Sequence, residues 1–247
     1  MVDQTDPRLA YRGPATTKAD GAVFDAGLRK YMLSVYNYMA SGVLLTGIVA
    51  LLVANNVANG GFFLQVLAGG GLMRWVVMLA PLAFVMVLSF GINRLSTAAA
   101  QGLFWAFAAV MGVSMASIFL VFTGESVAKM FFITSGAFAA LSLWGYTTKK
   151  DLSGIGTFLI MGLFGLIIAS LVNIFLQSGP MQFVISIVGV LVFAGLTAYD
   201  TQKIKSMYFH VAGTDFVGKS VVMGALSLYL DFVNMFTFLL QLFGNRE

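Results

Sequence analysis

Two aspartates interrupt the most apolar part of this chain: Asp200 in TAYDTQKIK and Asp231 in LSLYLDFVNMF. An ionised carboxylate in hydrocarbon costs about 3 kcal/mol or more, so each must be hydrated, protonated or paired. Paired, the two make a site for a proton and a cation. Asn234 follows Asp231 by three residues and shares its helical face, placed either to donate to that carboxylate or to add an oxygen to a cation. Asp200 has Tyr199 before it and Lys203 and Lys205 after it, which equally suits an ordinary charge pair at a helix end. Arg94, in SFGINRLS, is either a positive anchor or a guanidinium able to clasp Asp200 bidentately.

The elements that must position these residues are membrane helices. Of 247 residues, 59% are hydrophobic and 10% charged, against roughly 25% charged in soluble domains. Apolar runs of membrane-spanning length cover residues 31–54, 75–92, 102–122, 130–147, 155–176, 181–201 and 221–243. The expectation is an all-α polytopic membrane protein: a cytoplasmic tail over 1–30, then one seven-helix domain over 31–247. On these bounds Asp231 falls about 15 Å into the last span, near midplane, while Asp200 closes the sixth. Straight helices would then hold the two carboxylates at different depths.

Lysine and arginine set the orientation. With the N-terminus inside, the inner segments hold eleven (Arg8, Arg12, Lys18, Arg29, Lys30, Arg94, Lys149, Lys150, Lys203, Lys205, Lys219), and the outer ones three (Arg74, Lys129, Arg246). The expected N-terminus is cytoplasmic and, after seven crossings, the C-terminus is outside. This bias accounts for the net charge of +4, and no nucleic-acid partner is implied. Cysteine is absent, which excludes disulfides and thiolate chemistry; His210, the one histidine, reads as a solvated loop residue.

The remaining features read as packing. Ala108, Gly112 and Ala116, Gly162 with Gly165, and Gly189 with Gly195 mark close helix approaches, and Asn37 and Asn173 read as hydrogen bonds between helices. Phe131, Phe132, Phe236 and Phe238 read as lipid-facing bulk. Gly69 to Gly71 has neither the preceding strand nor the following lysine of a phosphate loop.

YDTQKIK at 199–205 followed by ALSLYLDFVNMFTFLLQLFG at 225–244, with Arg94 and the KKDLS stretch at 149–153, resembles the Bax inhibitor-1 family, also called the transmembrane Bax inhibitor motif family, in a bacterial-type member. The resemblance implies seven helices with the last one central, and a pH-sensitive calcium leak rather than an enzyme. Asp200 and Asp231 would form the sensor, Arg94 the latch, and no cofactor is expected beyond the calcium and protons passed or sensed. It also implies a bacterial inner membrane, with membrane lipid and a membrane protease as partners. Regulation of such a protease without transport is therefore an alternative. An intramembrane aspartyl protease also places aspartates on late helices, one in a Tyr-Asp pair like Tyr199-Asp200. It is disfavoured because Leu228-Tyr229-Leu230 precedes Asp231 where that class has Gly-x-Gly.

Overall fold

The computed structural model describes residues 18–68 and 71–246, in which the regular structure is helical, with one isolated bridge between Phe122 and Arg246. The helices are α1 (Lys18–Ala58), α2 (Phe62–Ala68), α3 (Leu72–Gly91), α4 (Thr97–Met115), α5 (Ile118–Val121), α6 (Gly124–Thr147), α7 (Ser153–Leu176), α8 (Gly179–Val211) and α9 (Val217–Phe243). Capping hydroxyls start several of them: Ser96 accepts from Ala99 N, Thr123 from Ser126 N and Ser178 from Met181 N. Arg8 and Arg12 of the expected tail, and Gly69 and Gly70, lie outside the described residues.

Among the described residues six segments are long and apolar enough to cross a membrane: Asp25–Ala58, Thr97–Val121, Gly124–Thr147, Ser153–Leu176, Gly179–Val211 and Val217–Phe243. The expected second span is the shorter apolar helix Trp75–Gly91, inside α3. Large apolar side chains such as Phe132, Leu143, Phe164 and Leu191 lie on the outside of the bundle, as lipid-facing helices require.

Two boundaries differ from the sequence reading. The part of the expected tail from Lys18 to Lys30 belongs to α1, with Leu28 already buried, and α8 continues past residue 201 to Val211. The cause is amphipathicity: Thr201, Ile204 and Val211 are buried while Lys203, Ser206 and His210 are exposed, so a helix persists where mean hydropathy falls. His210 accordingly sits in the last turn of α8, its Nδ1 3.2 Å from Ser206 O.

The last helix carries the core. Two-thirds of its apolar window is buried (67%), against 17% for α7, and its main partners are α1, α4, α6 and α8. α3 lies on α4, and α7 on α8. Phe236 and Phe238 are therefore inside: Phe236 is buried, and Phe238 stacks on Phe193 at 6.0 Å and covers Gly189. Phe131 and Phe132 stay exposed.

α1 and α4 run side by side in the same direction. Gly42 faces Phe104, Thr46 Oγ1 donates to Ala108 O at 2.8 Å, and Gly112 faces Val49. A side chain at Gly112 would meet the Thr46 carbonyl at 2.7 Å, which explains the small-residue row. Gly162 and Gly195 likewise face Val192 and Leu159, whereas Gly165 faces open space. Asn173 bonds Gln182 Oε1 at 3.0 Å across the α7–α8 turn; Asn37 is exposed on α1 and joins no helix.

Candidate functional site

Helices α8 and α9 pack antiparallel, with Ile204 against Gly224, Gly189 against Phe238 and Gln182 bonded to Gln241. Interpolating along this register sets Asp200 level with Leu228, one helical turn from Asp231. The depth mismatch expected from the sequence disappears because α8 runs on for eleven residues beyond Asp200, about 16 Å. Asp200 is therefore an interior residue of its helix rather than a terminal one.

Asp231 is 4% exposed, and its Oδ2 is buried without a hydrogen-bond partner among the described residues. Two charges act on it, Asp200 first and Lys203 second. The same Lys203 is the charge acting on half-buried Asp200. Its Nζ lies 5.9 Å from the Tyr199 ring centroid, so the cation stands at the exposed edge of the pair.

The backbone that carries Asp200 is held from two sides. Gly145 of α6 lies so close to Ala198 that an added methyl would come within 2.9 Å of its backbone carbons, and Gly156 of α7 lies against the Tyr199 ring. Ser142 of α6 shares a hydrogen bond with Thr201 at 2.8 Å and with Tyr36 of α1 at 2.6 Å. Tyr199 thus serves as a packing surface one residue before the carboxylate.

The other side of α9 is anchored as firmly. Tyr229 is fully buried between Phe107 (5.1 Å) and Phe104 (6.2 Å), and its hydroxyl meets Thr46 Oγ1 at 2.6 Å. Tyr31 meets Ser220 at 2.6 Å near the start of α9. Neither tyrosine stands out in the sequence reading. The available signal was Tyr229, a hydroxyl in an apolar run only two residues before the midspan aspartate.

The other candidates are placed apart from the carboxylates' hydrogen-bonding reach. Asn234 donates to Leu230 O at 2.8 Å, within its own helix, rather than to Asp231. Arg94 sits exposed in the turn after α3, and no ion pair joins it to Asp200 among the described residues. Thr97, three residues on, covers Gly218 at the start of α9, so this turn lies towards the α8–α9 loop, far along the helix axis from Asp200. In the loop before α7, Asp151 accepts from Ser153 N at 2.9 Å, and the Ser153 hydrogen bonds hold its carboxyl below the usual range.

Calcium takes six to eight oxygens, and among the described residues no three histidine, cysteine or acidic side chains converge to hold a metal. Chemically, the arrangement offers two carboxylates from facing helices, one of them buried and incompletely bonded, with a lysine at their edge.

The comparisons with known proteins agree with this architecture. The profile of the family described as Inhibitor of apoptosis-promoting Bax1 matches residues 28–247. The chain is 46% identical over 240 residues to an uncharacterized protein of Rickettsia prowazekii, covering 97% of this chain and 99% of that one. It is 46% identical over 238 residues to a Caulobacter vibrioides protein, covering 93% and 94%. The Escherichia coli inner membrane protein YbhL is 45% identical over 224 residues, 90% of this chain and 94% of its own. With its apolar helices and a matched region that includes both aspartates, the chain belongs to the Bax inhibitor-1 family of integral membrane proteins.

Proposed function

We propose that this protein is a calcium leak path of the bacterial inner membrane, gated by a proton shared between Asp200 and Asp231. The observation that carries the reading is Asp231: a carboxylate at midspan, 4% exposed, with a bare Oδ2 and a second carboxylate one turn away. Two like charges in such a place hold one proton between them more readily than they hold none. Loss or gain of that proton changes the repulsion between α8 and α9, and a cation crossing the pair replaces the proton's charge. Calcium is the cargo in this reading, and Lys203 at the edge repels cations while the pair is closed.

α3 is the seventh crossing in this proposal. α1 and α4 lie parallel, so the chain returns across the membrane between them, and the 20 residues of α3 reach about 30 Å. The lysine and arginine bias then puts the N-terminus in the cytoplasm and the C-terminus outside. A reporter that is active only outside the cytoplasm, fused after the last residue, is expected to be active; an inactive, fully expressed fusion would refute the seven-crossing count.

Calcium entry into dye-loaded proteoliposomes at pH 6 and pH 8 tests the function. The native chain carries flux that differs between the two, and Asp231→Asn abolishes the difference. A chain without calcium flux at either pH, folded by circular dichroism, would end the transport reading.

A further inference from the structure

We propose that the cavity where α4 breaks into α5, about 320 Å3 in volume, is the water-filled outer mouth of a path for hydrated divalent cations reaching Asp231 along one face of α9. This rests on the transport reading and adds its entrance.

The break comes first. One membrane-length segment, Thr97–Val121, contains two helices, and at their junction the backbone bonds tighten to three-residue spacing: Ala116 N to Val113 O, Phe119 N to Ala116 O and Leu120 N to Ser117 O. Irregular backbone inside a membrane survives only when buried in protein or lining a wet cavity. Ser117 is exposed and lines the cavity while Ala116 beside it is buried, so protein covers the junction on one side and the cavity opens on the other.

A polar face on α9 leads inward from there. At 100° per residue Ser227, Asp231, Asn234, Thr237 and Gln241 fall within about 120° of arc. Thr237 and Gln241 line the cavity, and Asp231 lies six residues below Thr237, about 9 Å along the axis. The register that brings Asp200 level with Leu228 sets it on the facing helix α8, about one turn deeper than Asp231.

The bonded hydroxyls of Thr237 and Ser114 favour a cation, although Ser117 and the Gln241 amide hydrogens leave donors in the same lining. Thr237 Oγ1 spends its proton on Val233 O at 2.8 Å, and Ser114 Oγ on Val77 O at 2.7 Å. Both hydroxyl oxygens are left with lone pairs to offer, which suits a cation or its water and not an anion. Gln241 Oε1 is already engaged by Gln182 Nε2 at 2.7 Å and Ser186 at 3.1 Å, fixing the wall of the mouth rather than binding. No carboxylate lines the cavity, so it admits a hydrated cation without trapping it.

The chain has no cysteine, so single cysteines report directly on water access. Thr237→Cys is compared with Leu171→Cys, an exposed lipid-facing position of α7 five residues from its helix end, as Thr237 is six from the end of α9. A permanently cationic, membrane-impermeant methanethiosulfonate is applied to spheroplasts and, separately, to inverted vesicles, with labelling read by mass. The expected result is reaction at Thr237→Cys from the spheroplast side at least about tenfold faster than at Leu171→Cys, because only a hydrated thiol ionises to react. Labelling that also cuts calcium flux supports the mouth; equal rates at the two positions, or full labelling with unchanged flux, overturns it. Because labelling needs no flux, an unmodified chain that carries no calcium refutes the transport reading separately from the cavity.

Discussion

The shared proton makes the sharpest prediction, because the geometry gives it a size. Carboxylates one turn apart in register on packed helices lie on the order of 6 Å apart. At an effective dielectric near 20, two negative charges at that spacing repel by about 3 kcal/mol. Asp200 is half-buried, and screening at its exposed edge lowers this to about 1.5–3 kcal/mol. Asp200→Asn and Asp231→Asn each remove one charge and with it the whole repulsion, so the double variant adds little to either single one. Expressed as flux ratios between pH 6 and pH 8, the departure from additivity is between about tenfold and a hundredfold. The assay is initial calcium flux in proteoliposomes for the four proteins at matched reconstitution. Effects that add to within about 0.5 kcal/mol would mean the two carboxylates act separately, and the paired sensor would be wrong.

Gly145→Ala drives a methyl against the Ala198 backbone, which has no flexible end to yield, and lowers stability by about 1–3 kcal/mol; an unchanged melting temperature in detergent would show that α6 does not brace α8. Tyr229→Phe removes the hydroxyl from Thr46, which keeps its bond to Ala108 O, and costs about 1 kcal/mol of stability while leaving flux in place. Arg94→Ala leaves the pH response intact, since the arginine stands exposed beyond the turn and apart from Asp200; leak that becomes high and insensitive to pH would establish a second conformation in which it acts as a latch. Asp151→Asn leaves the response between pH 6 and pH 8 unchanged: a carboxyl held below its ordinary range is ionised throughout that window, and the stability it lends the start of α7 is lost only as pH falls through the lowered value.

Much of this architecture was legible because lipid demands long apolar runs, and charges inside them are conspicuous. Asp200 and Asp231 stood out for that reason, and the family resemblance fell on the same residues. What hydropathy misread was length. It ended the sixth span at residue 201, where Lys203 and Lys205 begin, although a helix with Ile204 and Val211 turned inward continues to Val211. That error put Asp200 at a helix end, level with Arg94, and produced the depth mismatch with Asp231. Phe236 and Phe238 were misread for a related reason. A helix enclosed by protein and one facing lipid are both apolar all round, so composition could not say that α8 covers Phe238 and α6 packs on Phe236.

The hydrogen-bond donors around Asp231 explain why its proton matters. Thr197 bonds Phe193 O, Thr201 bonds Thr197 O, Asn234 bonds Leu230 O and Thr237 bonds Val233 O, each at 2.8 Å and each within its own helix. These four side chains of α8 and α9 therefore each spend a proton locally, while Tyr229, two residues away, is committed to Thr46. A buried polar atom without a partner costs about 1–3 kcal/mol, and an amide or an apolar residue in place of Asp231 would avoid leaving a charge there. In the proposed reading, Oδ2 is left to a proton shared with Asp200, to water, or to a cation. Its helices are meanwhile fixed from behind, α8 by Gly145 and Gly156 and α9 by Tyr31 and Tyr229. On the proposed reading, the facing carboxylates held this way respond to a proton or a cation while the packing behind them stays in place.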